Sequence, residues 1–148
     1  NIFCGSDSSY VITNDNILMG FGANYAGQLG INNENIEYSG NMNTILNGEC
    51  IYDFSCGGTH FGCLTMNKKL YMFGNNENGE CGYGCESMAI SQIYSGNNII
   101  LPKNEEIEQI MCGYNHNILK TTNNNFYTFG CNSENQLLIS SDNDEYIP

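Results

Sequence analysis

One pattern recurs three times along this chain and restricts the folds that it can adopt. Each copy opens with Cys-Gly, carries a threonine after a fixed interval, and closes with Phe-Gly without any gap in the register. The recurring positions are Cys4, Thr13, Phe21 and Gly22, then Cys56, Thr65, Phe73 and Gly74, and finally Cys112, Thr121, Phe129 and Gly130. Self-similarity at a period of about fifty residues is typical of arrays of like units.

The repeat also gives the domain organisation. We assign one continuous array with units at about 1–45, 46–101 and 102–148. The last residues, Tyr146-Ile147-Pro148, match Ile100-Leu101-Pro102, which precede the third Cys-Gly pair. We therefore interpret the sequence as a segment of a longer repeat protein.

Three strands are predicted in each unit. They are assigned to 1–4, 10–13 and 17–21 in the first copy, to 51–56, 62–65 and 69–73 in the second, and to 107–112, 118–121 and 125–129 in the third. Asp15-Asn16 and Asn123-Asn124 lie between the second and third strands and tolerate the positive φ that tight hairpins need. Lys68 is less suited to it, so we expect a looser turn in the middle copy.

The third strand of each unit has apolar residues on both faces. Successive strand residues point to opposite sides, which places Phe21, Phe73 and Phe129 on one face and Leu18, Leu70 and Phe126 on the other. A sheet with two apolar faces is covered on both sides. We therefore expect the units to pack face to face.

A second signal follows each Phe-Gly. In residues 24–30 and 76–82, two glycines flank Leu29 or Cys81, which predicts a tight turn that buries the apolar side chain. The third copy has Asn135 and Leu138 in place of the glycines. Asn135 can adopt the left-handed conformation, whereas Leu138 is expected to do so only with strain. The variable segments 31–45 and 83–99 are assigned to an outer strand or to exposed loops.

The opening Cys56-Gly57-Gly58-Thr59-His60 and the close at residues 21–30, Phe-Gly-Ala-Asn-Tyr-Ala-Gly-Gln-Leu-Gly, resemble the repeat of the regulator of chromosome condensation family. Other propeller repeats fit less well, because the chain has no tryptophan. The family's fold is a β-propeller. The resemblance therefore implies an all-β chain, a partial β-propeller of about three four-stranded blades.

Composition limits the partners that this chain can have. The formal net charge is −12, with four lysines and no arginine. Nucleic-acid binding draws its affinity from Lys and Arg, so we expect none here. No stretch approaches the roughly 20 apolar residues of a membrane helix, and we expect no membrane association.

Three of the eight cysteines recur at one repeat position, which favours small buried side chains and a reducing, intracellular setting, cytoplasmic or nuclear.

The candidate site residues lie in the loop that follows each Cys-Gly pair. His60 and His116 occupy the repeat's histidine position and Ser8 the matching place in the first copy. We favour a structural role, in which the histidine ring forms a hydrogen bond with a neighbouring backbone group and fixes the loop. In the founding members of the family, this loop carries residues that touch a small GTPase. The resemblance therefore makes Asp7, Ser8, Thr59, His60, Asn115 and His116 the candidates for partner binding.

No residue is assigned a catalytic role, and no cofactor is expected. Cys81 and Cys85 could supply two metal ligands, but zinc sites usually combine two such pairs, so no metal is expected. Cys56 and Cys112 are interpreted as packing residues. An activated thiol would need an exposed, electropositive pocket.

Two functions from different classes remain open. The first is a scaffold for protein–protein interaction, with partners held on the loops of a propeller. The second is guanine-nucleotide exchange on a Ran-like small GTPase, as the founding members imply. Asp7 is the only acidic residue among the six candidates, so a GTPase contact would depend most on it.

Overall fold

Three antiparallel sheets account for the regular structure of the chain. The computed structural model describes residues 1–31, 38–84, 99, 101, 105–140, 143–145 and 147–148. The first sheet contains β1 (Ile2–Cys4), β2 (Ser8–Ile12), β3 (Leu18–Ala23) and β4 (Tyr38–Ile45). The second contains β5 (Ile51–Cys56), β6 (His60–Thr65) and β7 (Leu70–Gly74). The third contains β8 (Ile107–Cys112), β9 (His116–Thr121) and β10 (Phe126–Gly130).

This architecture confirms the all-β prediction, and β4 confirms the outer strand expected within residues 31–45. Most of the other variable segment, 83–99, lies outside the described residues. An antiparallel bridge joins Gly130 to Glu145 beside β10 in the third sheet. The second strand of each sheet begins two residues earlier than predicted, so Ser8, His60 and His116 are its first residues.

The same turn joins the second and third strands of every sheet. Asn16, Lys68 and Asn124 have φ values of 60°, 61° and 61°, so the looser turn expected at Lys68 is wrong. The cost at Lys68 is offset by a cation–π contact, in which its Nζ lies 4.6 Å from the centre of the Tyr52 ring.

The recurring threonine closes this turn from its N-terminal side. The Oγ1 of Thr65 accepts a hydrogen bond from the N–H of Lys69 at 3.3 Å. Thr13 and Thr121 accept the equivalent bonds at 3.1 and 3.3 Å. A hydroxyl in this position satisfies a backbone donor that the turn would otherwise expose.

The Asn-Gly turn after the third strand is also built from side-chain acceptors. The Oδ1 of Asn76 accepts the N–H of buried Cys81 at 2.8 Å. Asn24 and Asn132 hold the equivalent leucines, Leu29 and Leu137, at 2.9 and 3.0 Å. All three apolar side chains are buried, which confirms the prediction for Leu29 and Cys81 and extends it to Leu137.

The third copy keeps this turn without its glycines. Asn135 and Leu138 have φ values of 57° and 58°, where the second copy has Gly79 and Gly82 at 84° and 67°. The Leu138 side chain is 95% exposed, so no packing offsets its left-handed backbone.

The sheets pack face to face through apolar side chains. Tyr10 of the first sheet contacts Phe54 and Phe61 of the second, with ring centroids 5.1 and 5.0 Å apart. Leu64, Leu70 and Met72 form the opposite cluster with residues of the third sheet, namely Ile107, Ile110, Leu119 and Phe129. Every residue of β6 and β7 is buried, so the middle sheet is covered on both faces.

The outer sheets keep one open face each. Phe73 and Phe129 are fully buried, whereas Phe21, at the same repeat position, is only half-buried. Phe126 is 65% exposed although Leu70, its equivalent, is buried. The prediction of two covered faces therefore holds for the middle sheet alone.

Replacing Leu138 with glycine is expected to stabilise the fold. A left-handed non-glycine residue destabilises the folded chain by about 1–2 kcal/mol. Glycine removes this strain, but the flexibility that it adds to the unfolded chain destabilises the fold by about 0.5–1 kcal/mol. Urea denaturation of Leu138→Gly should show a free energy of unfolding higher by about 0.5–1 kcal/mol.

The matched control is Gly82→Ala, the reverse change at the equivalent position of the second copy. There a Cβ would lie 3.0 Å from the Phe129 ring at a φ of 67°, so stability should fall. Unchanged or lower stability in Leu138→Gly would show that this turn is not strained.

Candidate functional site

The three loops that follow the Cys-Gly pairs meet at one end of the sheets. The N–H of Ser6 donates to the carbonyl oxygen of Gly58 at 3.2 Å, and the N–H of Gly58 donates to that of Tyr114 at 2.8 Å. These bonds stack the first loop on the second and the second on the third. We call this surface, formed by 5–7, 57–59 and 113–115 with the adjoining turns 24–26, 76–78 and 132–134, the loop end.

Each loop has the same backbone frame. The Gly57 N–H donates to the His60 carbonyl at 2.8 Å, and the first and third loops make the same bond at 2.9 and 2.8 Å. The carbonyl oxygens of Asp7, Thr59 and Asn115 accept the N–H that follows each Phe-Gly, at 2.8, 2.9 and 2.8 Å. These three residues therefore use only their backbone in the frame, and their side chains are free to differ.

The loop frame requires a glycine after the phenylalanine of each Phe-Gly pair. A Cβ on Gly74 would lie 2.3 Å from the Thr59 carbonyl oxygen, and φ there is 102°. Gly22 and Gly130 meet the same obstacle in their own sheets, at 2.5 and 2.6 Å. No side chain fits at this position while the loop keeps its place.

His60 joins the second sheet to the third. Its Nε2 lies 2.9 Å from the Oδ1 of Asn117, whose Nδ2 donates to the Glu80 carbonyl at 2.7 Å. Because the amide nitrogen is used by Glu80, the amide oxygen accepts and Nε2 carries the ring proton. The other ring nitrogen, Nδ1, is buried and has no hydrogen-bond partner within the described part of the chain.

This environment keeps the His60 ring neutral. The side chain is 2% exposed, and burial lowers its pKa to about 4. The ring also lies against Gly57, where a Cβ would be 2.2 Å from its Cε1. We expected the ring to bond a neighbouring backbone group, but the partner is a side chain of the next sheet.

The other two residues at the histidine position behave differently. His116 is half-buried against Gly113, and burial lowers its pKa. Ser8 is buried and donates its hydroxyl hydrogen to the Tyr10 hydroxyl at 2.9 Å, which in turn donates to the Gln28 carbonyl at 2.6 Å. Ser8 and His60 are therefore inaccessible to a partner.

The accessible candidates are the loop residues themselves. Asp7 is exposed, and its Oδ2 lies 3.4 Å from the Tyr25 hydroxyl. Thr59 and Asn115 are half-buried. The structure thus brings all six candidates to one end and divides them into buried and accessible groups.

The repeat cysteines are the last residues of β1, β5 and β8 and lie beside this surface. Cys56 and Cys112 are half-buried, but Cys4 is exposed, so the expectation of buried packing is wrong for Cys4. The Cys112 N–H donates to the Ser55 Oγ at 2.8 Å, which ties β8 to β5. Burial raises the pKa of the Cys56 and Cys112 thiols to about 12, which leaves both unreactive at neutral pH.

A shallow concavity of about 360 Å³ lies at the loop end. Four of its eight lining residues are glycines, and the lining comprises Gly5, Ser6, Cys56, Gly57, Gly58, Cys112, Gly113 and Tyr114. Tyr114 is 70% exposed, and a Cβ on Gly58 would lie 3.0 Å from its Cε2, so the ring packs against that glycine.

Sequence reasoning missed both exposed tyrosines of the loop end, Tyr114 and Tyr25. Tyr25 is 58% exposed. Each is an aromatic residue at a position where the other copies carry small or polar residues, and that difference could have singled them out.

Within the described ranges, no group of three His, Cys, Asp or Glu side chains could hold a metal ion. Cys85, the second cysteine of the pair considered above, lies outside those ranges. No helix among the described residues is long and apolar enough to cross a membrane.

Acidification should destabilise the fold through His60. Its ordinary pKa is 6.5, and burial lowers this to about 4. Between these values the unfolded chain binds more protons, so the free energy of unfolding falls as the pH is lowered through this window. The expected loss is about 3 kcal/mol, measured by urea denaturation at successive pH values.

The His60→Gln variant isolates this effect, because the carboxylates titrate equally in both proteins. The wild-type curve should drop more steeply than the variant curve between pH 6.5 and 4. His116→Gln is the control at the half-buried position and should change the slope less. Parallel curves for wild type and His60→Gln would rule out a buried neutral ring.

Known proteins match this chain in sequence. Residues 107–136 match the model of the Regulator of chromosome condensation (RCC1) repeat. The serine/threonine-protein kinase Nek9 of Mus musculus is 32% identical over 109 residues, which are 70% of this chain and 10% of that protein. The X-linked retinitis pigmentosa GTPase regulator of Homo sapiens is 41% identical over 83 residues, which are 56% of this chain and 8% of that protein. The chain thus spans about a tenth of the length of these relatives.

A solved structure matches the fold. The crystal structure of Prp20p from Saccharomyces cerevisiae, described with its binding properties to Gsp1p and histones, covers 100% of this chain and 37% of its own. The TM-score is 0.84 at 18% identity, so the likeness concerns the fold alone and identifies the three sheets as blades of a partial β-propeller. With its repeat frame and its matching relatives, the chain belongs to the regulator of chromosome condensation repeat family.

Proposed function

We propose that this chain is a protein-interaction scaffold that binds its partner at the loop end. The observation that carries the proposal is the contrast between frame and side chains. Three loops share the same backbone hydrogen bonds, yet Asp7, Thr59 and Asn115 differ in charge and size at one repeat position. A rigid frame with variable side chains is suited to recognition.

The distribution of charged side chains also favours the loop end as the binding surface. Among the described residues, Lys68, Lys69 and Lys120 all lie towards the opposite ends of the sheets, and Lys69 and Lys120 are paired with Glu49 and Glu108. The loop end carries the exposed carboxylates of Asp7, Glu77 and Glu134.

The scaffold is not an enzyme in this proposal. Six of the described cysteines, Cys4, Cys50, Cys56, Cys63, Cys112 and Cys131, are free, and we place the protein in a reducing, intracellular compartment.

A second function is guanine-nucleotide exchange on a Ran-like small GTPase. It is favoured by the exposure of Asp7, the acidic residue at the position that the resemblance assigns to GTPase contact. Two of the similar proteins carry related descriptions, a GTPase regulator and a protein with binding properties to Gsp1p. An acidic contact of this kind could compete for the lysine or Mg²⁺ that holds the phosphates.

A pair of charge reversals tests the scaffold. Asp7 and Asp15 are both exposed and lie at opposite ends of the same hairpin, so Asp7→Lys and Asp15→Lys make the same change in net charge. Proteins captured by the immobilised chain from cell extract should be identified by mass spectrometry. A partner of the loop end should be reduced by Asp7→Lys and retained by Asp15→Lys. Equal capture by both variants would contradict binding at the loop end.

Nucleotide release from a purified Ran-like GTPase separates the two functions. Exchange activity predicts accelerated release of labelled guanine nucleotide, and Asp7→Lys should reduce that acceleration while Asp15→Lys should not. No acceleration, together with capture that depends on Asp7, would leave the scaffold and remove the exchange function.

A further inference from the structure

The concavity at the loop end has a floor of backbone atoms and a wall of tyrosine. Its lining includes Gly5, Gly57, Gly58 and Gly113. These residues have no side chain that could fill the space. The consequence is a recess of about 360 Å³ that is open to a single side chain of a partner.

The floor presents hydrogen-bond acceptors. A Cβ placed on Gly57 would lie 2.8 Å from the Gly113 carbonyl oxygen, and one on Gly5 would lie 3.4 Å from that of Gly57. Both carbonyls therefore face the preceding loop. Neither receives a hydrogen bond from another described residue. The partial negative charge of these two carbonyl oxygens, which belong to residues that line the recess, favours a cation over an anion.

The walls favour positive charge. The Tyr114 ring packs against Gly58 and leaves most of its surface exposed. The Tyr25 hydroxyl lies beside the exposed carboxylate of Asp7. Asp7 directly follows Ser6, which lines the recess. Burial, then Asp7 and then Tyr114 raise the pKa of Tyr25. Exposed π-faces and a carboxylate together attract ammonium and guanidinium groups.

Among the described residues, no cationic group lies at the loop end to compete with a ligand for the recess. The three described lysines and the N-terminal ammonium lie towards the opposite end, where the ammonium donates to the Ile12 carbonyl. Burial lowers the pKa of His116, the half-buried histidine of the loop end, which favours its neutral form. The thiols of Cys56 and Cys112 are neutral as well.

We propose that this recess binds a lysine or arginine side chain of a protein partner on the glycine floor and against the Tyr114 ring, with Asp7, the residue after the lining Ser6, as the neighbouring carboxylate. The proposal rests on the loop end being the partner surface. It adds the chemistry of recognition, which is a cationic side chain presented by an exposed basic segment.

Short peptides test the recess directly. The probes are acetyl-Gly-Arg-Gly-amide and acetyl-Gly-Lys-Gly-amide, with acetyl-Gly-Gln-Gly-amide as the uncharged control. Titration into the ¹⁵N-labelled chain at low salt should shift the amide resonances of Gly58, Gly113 and Tyr114. The shifts should saturate, and they should weaken as salt is added, because screening reduces an exposed charge contact. The glutamine peptide should leave these resonances in place.

Variants separate the recess from the overall acidity of the chain. Tyr114→Ala should weaken binding of the arginine peptide by about threefold, as expected for a lost cation–π contact. Asp7→Lys should weaken it by about fivefold or more. Asp15→Lys, with the same change in net charge at the opposite end, and Tyr52→Ala, which removes an exposed tyrosine from the opposite half of β5, should leave the affinity unchanged.

Three outcomes would overturn the proposal: equal shifts with the glutamine peptide, shifts centred away from the loop end, or equal weakening by Asp15→Lys and Asp7→Lys. If the peptides fail to bind while partner capture still depends on Asp7, the cationic recess is wrong and the scaffold stands. If the peptides bind at the recess but no captured protein depends on Asp7, the recess is supported and the proposed scaffold function is wrong.

Discussion

Face-to-face packing between neighbouring sheets holds this structure together. The middle sheet buries one face against Tyr10 and its neighbours and the other against Leu119 and Phe129. Both of its faces are apolar, so alone it would expose them to water. Burial of apolar surface, at roughly 25 cal/mol per Å², therefore fixes the sheets as a stack and places the three loops side by side.

Polar contacts then set the register of the stack. Asp53 and Ser55 of β5 accept the N–H groups of Ile110 and Cys112 in β8, at 2.9 and 2.8 Å. His60 reaches Asn117 at the loop end. These bonds are short and directional, so they define how far one sheet can slide on the next. The loop-to-loop hydrogen bonds at Gly58 depend on that register, and so does the recess that Tyr114 borders.

The repeat predicted the strands, the positions of the hairpins and the burial of Leu29 and Cys81, because each follows a local rule that recurs. It did not predict that the third copy keeps its turn with Asn135 and Leu138 in place of glycines. It did not predict the left-handed Lys68, since the fixed hairpin outweighs a modest backbone preference there. It misjudged Cys4 because burial depends on which neighbour covers a position, and that is not a property of the repeat. The partner of His60 was missed for the same reason: Asn117 belongs to the next sheet and has no equivalent in the other copies.

Neighbouring sheets hold one another and thereby fix the loop frame. Native-state hydrogen exchange measures this most directly, because it reports the opening free energy of each amide. The Gly58 N–H, which bonds the next loop, and the Leu119 amide of β9 should open with the same free energy as the buried amides of β6. A third sheet that opens at much lower free energy, while β6 stays protected, would show that the sheets do not hold one another.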